Sequence, residues 1–236
     1  MNRREILKIT AATAALAVTA AVRGASDSTR SLKPPPAKGK ILVAFLISEG
    51  AQVIDFTGPW EVFQDTLLPD PGSASDSTSP FELFTVAETT NRLRATGGLQ
   101  ITPDYDFHSV PQPKLIVVPA QSSPTEATKA WLRKTSEQAD ITMSVCTGAF
   151  VLAKTGLLSG KAATTHHDFY DKLATAFPDV SVQRGARFVD DGKISTAGGL
   201  TSGIDLALHV VERYFGRTVA QQTASLMEYQ SSRWIN

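Results

Sequence analysis

Ile41 to Ile47 reads Ile-Leu-Val-Ala-Phe-Leu-Ile, an apolar run with no polar break. A strand that faces solvent on one side alternates apolar with polar residues, so an unbroken run needs cover on both faces, as inside a parallel sheet. Phe81 to Ala87, Leu115 to Val118 and Ile141 to Val145 read as further strands, with short ones at Val180 to Val182, Arg187 to Val189 and Ile194 to Thr196. Helical stretches lie between them. Gly58-Pro59 opens an amphipathic segment, Trp60 to Leu68, with Trp60, Phe63, Leu67 and Leu68 at helical spacing. Pro124 to Gln138, Gly148 to Lys154 (ended by Gly156), His167 to Phe177 (stopped by Pro178) and Ser202 to Phe215 follow. Asp70 to Pro80 is polar and rich in Ser, Pro and Gly, which predicts a surface loop. Alternation of this kind predicts an α/β three-layer sandwich with a mainly parallel sheet, built as one domain over residues 40–236 without internal repeat.

The front of the chain has a different character. Asn2-Arg3-Arg4-Glu5-Ile6-Leu7-Lys8 is followed by an uncharged stretch of Ala, Thr, Val and Leu from Ile9 to Val22. A charged n-region before a short, mildly apolar h-region is the pattern of a signal peptide, and the paired arginines suit the twin-arginine type. The segment is short for a membrane span, which needs about 20 strongly apolar residues. Residues 1–25 are therefore expected to be a cleaved leader, residues 26–39, with Pro34-Pro35-Pro36, an extended linker, and the mature protein periplasmic with no stable membrane span. Cleavage after residue 25 removes four basic residues and one acidic, leaving 19 and 22, a net of −3.

Charge excludes one class of partner. Lys+Arg 23 against Asp+Glu 23 and a pI near 6.9 give no basic footprint for nucleic acid. One cysteine, Cys146, rules out an intramolecular disulfide and a multi-cysteine zinc site. His108 and His209 stand without metal-ligand spacing, so no metal is expected. Chemistry then centres on Cys146. It ends the strand Ile141-Thr142-Met143-Ser144-Val145 and precedes Thr147-Gly148 and a helix, the arrangement of a nucleophile elbow. A helix N-terminus favours thiolate, so this position is expected to lower the thiol pKa, with the Thr147 amide able to hold a developing negative charge.

Three stretches carry a family resemblance: Gln52-Val53-Ile54-Asp55-Phe56-Thr57-Gly58-Pro59-Trp60-Glu61-Val62-Phe63; Cys146-Thr147-Gly148 through Gly156-Leu157-Leu158-Ser159-Gly160-Lys161-Ala162-Ala163-Thr164-Thr165-His166; and Thr196-Ala197-Gly198-Gly199 through Gly203-Ile204-Asp205-Leu206-Ala207-Leu208. In this order and spacing the chain resembles the ThiJ/PfpI branch of the class I glutamine amidotransferase-like superfamily, from Ile41 to about Tyr229. Within that branch it resembles the isonitrile hydratases and the ligand domains of AraC-type regulators. The resemblance implies a flavodoxin-like sandwich, a homodimer and no cofactor.

For a hydratase, which converts R–NC and water to an N-substituted formamide, the resemblance implies Cys146 as nucleophile, Asp55 as its acidic partner and Thr147 beside it. Cys146 would attack the isocyanide carbon to give a thioimidate, with Asp55, protonated or bridged by water, donating the proton and then activating the releasing water. Attack by Asp55-activated water, with Cys146 only polarising the site, is an equally open route. Gly148, Ala120 and Gln121 are candidate substrate-binding residues. Where the family carries Pro-Gly-Gly this chain reads Pro119-Ala120-Gln121, so that part of an oxyanion site departs from the pattern. Asp55 read without the resemblance is a turn or N-cap aspartate, and Thr147 a helix-start residue. Asp205 reads as a capping or helix-packing residue, Gly198-Gly199 as tight packing between strand and helix. His166 and His167 stay outside the catalytic set. Against the enzyme stand a non-catalytic small-molecule-binding domain, supported by the altered loop, and another thiol hydrolase of the family, disfavoured by Thr147 where its protease-like members carry histidine. An AraC-type regulator would need roughly 100 further residues for a helix-turn-helix module.

Overall fold

The computed structural model describes residue 32, residues 39–70 and residues 73–235. The expected leader lies outside these residues, as does the linker apart from Leu32 and Gly39. Leu32 packs on the core and donates its backbone N–H to Arg213 O at 2.9 Å. Along the chain run β1 (Ile41–Leu46), α1 (Val53–Gln64), β2 (Leu68–Asp70), β3 (Ser73–Thr78), β4 (Phe81–Ala87), β5 (Leu93–Arg94), β6 (Gln100–Ile101), β7 (Tyr105–Asp106) and β8 (Leu115–Val118). Then come α2 (Glu126–Gln138), β9 (Ile141–Val145), α3 (Gly148–Lys154), β10 (Ala162–Ala163), α4 (Tyr170–Ala176) and β11 (Ser181–Val182). β12 (Phe188–Asp191), β13 (Ile194–Ala197), α5 (Ser202–Phe215) and α6 (Arg217–Leu226) complete it.

Seven strands form the central sheet in the order β12-β13-β9-β8-β1-β4-β7. Every neighbouring pair is parallel except β12 with β13. The apolar run of β1 explains the layering: Val43 and Phe45 pack with Phe56, Phe63 and Leu206 on one face, while Ala44 and Leu46 pack with Leu132, Leu152 and Leu173 on the other. α1, α5 and α6 thus cover one face, and α2, α3 and α4 the second. This is the three-layer sandwich the apolar runs predict. Among the described residues no helix is long and apolar enough to cross a membrane.

Three local expectations are corrected. α1 starts at Val53, not at Gly58-Pro59, so Pro59 lies inside the helix. Tertiary contacts outweigh the proline preference for a first turn: Val53 N–H donates to Thr96 Oγ1 at 3.1 Å, and Gly58 leaves room for Ile204 of α5, whose Cγ1 would stand 3.0 Å from an added Cβ. The helix ends at Gln64, leaving Leu67 outside it and 43% exposed. Residues 70–80 are not a plain loop, since β2 and β3 pair as an antiparallel hairpin. Ladder bonds need only backbone groups, which a Ser- and Thr-rich segment still supplies. The sequence pattern predicts no helix at α6. Gly216, at φ 86°, separates it from α5, and its inner face is made of Ala220, Thr223 and Ala224, too weakly apolar to give a clear helical stripe.

Strand order reverses between β1 and β8, and in such sheets a crevice opens beyond the carboxyl ends of the strands at the reversal. Asp55 follows β1 on the first turn of α1, Pro119 to Gln121 follow β8, and Cys146 follows β9. Three chain segments distant in sequence meet at one crest.

Candidate active site

Cys146 has φ 58°, a left-handed conformation uncommon in a residue with a side chain. Its backbone is held there: the N–H donates to Gly198 O at 2.7 Å, and the carbonyl accepts from Thr165 Oγ1 at 2.9 Å. Gly148 lets the elbow close, because a Cβ there would stand 2.2 Å from Val118 O and 2.9 Å from Pro119 O. The strand-to-helix elbow read from the sequence is therefore present, with its strain met by bonds from the loops on either side.

Asp55 is fully buried. Oδ2 accepts the Ala120 N–H at 3.1 Å, while Oδ1 has no hydrogen-bond partner among the described residues. The carboxyl also meets the Cys146 thiol. Burial raises the Asp55 pKa from 3.8 to about 7, against the opposing effects of the Ala120 N–H and the thiol. Asp55 is thus not the N-cap, a position taken by Gln52.

The thiol does not behave as the helix position suggests. Burial, then the Asp55 charge, push Cys146 up from 9.0 to about 11, outweighing the amides of Thr147 and Leu200 and the Thr147 hydroxyl, all directed at the sulfur. α3 has seven residues and Cys146 is 8% exposed, so desolvation beats a short helix's dipole. The expectation of a thiolate at rest is corrected to a protonated thiol beside a carboxyl group of near-neutral pKa.

Leu200 escaped sequence reasoning. It sits at φ 51° after Gly198-Gly199 and turns its N–H toward the sulfur. The glycine pair was a usable signal, since a Cβ on Gly199 would come within 2.4 Å of the His166 ring. That a leucine follows in the left-handed region carries no sequence signature.

Ala120 and Gln121 need no positive φ, so the backbone shape here does not require glycine. Ala120 spends its N–H on Asp55 and its carbonyl on Gln52 N–H at 2.8 Å. Gln121 lines a cleft of about 330 Å³ that Thr147 also borders, and its Oε1 is buried without a partner among the described residues. Gly148 and Ala120 do not line this cleft. The His166 ring stacks on His167 at 4.3 Å, and no imidazole is among the groups acting on the thiol. His166, His167 and Asp168 bring donor atoms within 4.8 Å of one another, but His166 Nδ1 already accepts the Asp168 N–H at 3.3 Å. Asp205 is a buried hub: Arg187 Nε donates to Oδ2 at 2.7 Å, and Tyr229 and Ser231 donate to Oδ1 at 3.2 and 3.1 Å, tying the chain's end to α5.

Residues 41–213 match the model of the DJ-1/PfpI family. The chain belongs to the DJ-1/PfpI family. An isonitrile hydratase of Pseudomonas putida is 33% identical to this DJ-1/PfpI chain over 192 residues, 79% of this chain and 78% of the relative. The HTH-type transcriptional regulator GbdR of Pseudomonas aeruginosa is 26% identical over 207 residues, 85% of this chain but 54% of the regulator. Among solved structures, a ThiJ/PfpI family protein from Pseudomonas syringae superposes with a TM-score of 0.71 at 26% identity, over 82% of this chain and 77% of that one. Drosophila melanogaster DJ-1beta reaches 0.69 at 18% identity, over 81% and 100%, a likeness of fold.

Proposed function

We propose that this DJ-1/PfpI protein is an exported isonitrile-hydratase-like enzyme that adds water to an isocyanide through Cys146 and Asp55. The observation that carries the reading is the pair itself: a buried thiol against a buried carboxyl whose Oδ1 is unpartnered and whose pKa lies near 7. The similarity to an isonitrile hydratase over most of both chains supports the substrate, and the leader pattern of residues 1–25 supports export.

The proton path follows from the two pKa values. With the thiol near 11 and the carboxyl near 7, moving the proton from sulfur to Oδ1 costs at most about 5 kcal/mol at 1.36 kcal/mol per pKa unit. That is well inside the roughly 16 kcal/mol barrier of a typical enzyme turning over about ten times per second. Neutralising Asp55 also removes the charge that opposes the thiolate. The sulfur then bonds to the isocyanide carbon while Oδ1–H delivers its proton to that carbon, giving R–N=CH–S–Cys146. Water adds to this carbon, with Asp55 taking one of its protons and the nitrogen gaining one. Collapse of the adduct breaks the C–S bond, returns the proton to sulfur and frees R–NH–CHO. The reactive resting form carries one proton on the pair, so activity rises as pH increases through about 7.

The test is formamide production from cyclohexyl isocyanide by the protein and by Cys146→Ala, Asp55→Asn and Thr147→Val. Cys146→Ala and Asp55→Asn should each lose turnover by at least about 100-fold, the general scale of acid–base catalysis. Activity surviving in Cys146→Ala assigns attack to Asp55-activated water. No turnover of any isocyanide by the wild type overturns the hydratase reading and favours a silent binding domain, to which the fully engaged Ala120 backbone and the regulator relatives point.

A further inference from the structure

The cleft of about 330 Å³ lies between the 121–124 loop and the helical layer. Neither Cys146 nor Asp55 lines it, but Thr147 and Gln121 do, each one residue along the chain from a group of that arrangement, since Thr147 follows Cys146 and Gln121 follows the Ala120 held by Asp55. Its wall is aromatic. Phe150 stands edge-on to Phe169 and Phe177, each with ring centroids 6.3 Å away. Rings locked against one another make a preformed apolar surface, which holds a ligand at little entropic cost.

Charge at this cleft has one sign. The charged side chains lining it are Lys154 and Lys172, both exposed, with no Asp or Glu among the lining residues. Lys154 Nζ donates to Ser123 Oγ at 2.9 Å, and Lys172 Nζ stands 5.8 Å from the Phe169 ring centre. The neighbouring cleft of about 310 Å³, on the other side of the same loop, has Glu49 and Glu88 against Arg92. The two faces of one loop thus differ in charge. Gln121 lines both clefts, and its buried Oε1 has no hydrogen-bond partner among the described residues, an acceptor left open to an N–H donor. A formamide or its tetrahedral precursor supplies one, and an isocyanide does not.

We propose that this cleft binds a small molecule with a cyclic, apolar body and an anionic tip: Phe150, Phe169 and Phe177 hold the body, and Lys154 with Lys172 holds the anion. It rests on the proposed hydratase reading only for the end that meets Cys146, which would be an isocyanide. The substrate class is then an aromatic carboxylate bearing an isocyanide, not a neutral hydrocarbon isocyanide. Gln121 Oε1 accepts the N–H that forms as the thioimidate is hydrated, a bond absent in the substrate.

The test compares 4-(isocyanomethyl)benzoate with benzyl isocyanide. Wild type should favour the carboxylate by about tenfold in kcat/KM, about 1.4 kcal/mol, within the range for two exposed ion pairs together. The ratio should fall with added salt and shrink to within about twofold in the Lys154→Met, Lys172→Met double variant, whose replacements are at exposed positions. Equal kcat/KM in wild type, or a preference that survives the double variant, overturns the inference. Binding of the unreactive 4-(formamidomethyl)benzoate and of N-benzylformamide, followed by calorimetry, keeps the question separate from turnover. If no isocyanide reacts but the carboxylate ligand binds about tenfold tighter and loses that advantage in the double variant, the cleft assignment stands and the hydratase reading falls. If neither compound binds better than the other, the cleft assignment falls whatever the enzyme turns over.

Discussion

Replacing Asp55 by Asn should stabilise the protein while removing the proposed hydratase activity. In the native state the carboxyl has a pKa of about 7 against 3.8 when solvated, so the folded form binds this proton more tightly than the unfolded form. Below pH 3.8 both states are protonated and Asp55 carries no ionisation penalty. As pH rises from 3.8 the unfolded state ionises first, and the native state loses stability by about 1.4 kcal/mol per pH unit until it too ionises near 7. Above that the penalty is constant at about 4 kcal/mol, the energy of holding a buried carboxylate with one unpartnered oxygen. An amide is nearly the same shape, keeps an oxygen for the Ala120 N–H and cannot ionise. Urea unfolding of wild type and Asp55→Asn should therefore converge near pH 4 and separate steadily up to pH 7, with the variant ahead by about 4 kcal/mol at pH 8. The same variant should fail to make formamide. A stability difference that does not change between pH 4 and 8 would refute the raised pKa and with it the proton path through Oδ1.

Two substitutions probe the frame around the pair. Gly148→Ala places a methyl group 2.2 Å from a backbone oxygen that cannot rotate away, so the elbow must open; a loss of at least about 3 kcal/mol in urea unfolding is expected, the scale of severe overpacking. Asp205→Ala leaves Arg187, Tyr229 and Ser231 without their shared acceptor; because Arg187 keeps 29% side-chain exposure, the cost should be about 2–3 kcal/mol, below that of a fully buried pair, with faster amide exchange after Tyr229 by mass spectrometry.

What the sequence makes legible is what one residue's surroundings determine locally. An uninterrupted run such as Ile41 to Leu46 can sit only in a covered strand, and β8 and β9 follow from the same argument. The elbow at Cys146 is legible because strand, small residue, glycine and helix are adjacent in the chain. The start of α1 is not, because it is decided by Thr96 and Ile204, which lie 43 and 146 residues beyond the elements they touch at Val53 and Gly58. The resting charge of the thiol is hidden for the same reason. A helix start beside Cys146 is visible in the chain, whereas the burial and the Asp55 carboxyl that outweigh it arrive from another segment. Leu200 joins the site only through a left-handed turn that its side chain does not announce.

These features share an energetic direction. Cys146 in the left-handed region costs the native state about 1–3 kcal/mol relative to an ordinary backbone, and the buried Asp55 costs about 4 more at neutral pH. Neither cost helps the fold: glycine would relax the first and asparagine the second without disturbing the layers on either side of the sheet. Two destabilising choices made on separate segments, and directed at one another, are what a site for moving a proton requires, since the sulfur must be presented at the crest and the carboxyl must be poised to accept. A cysteine kept only for packing would need neither the strained elbow nor a buried carboxyl beside it. Strained backbone and a buried carboxyl brought together from two segments are thus the physical argument for chemistry at the crest of this DJ-1/PfpI sheet.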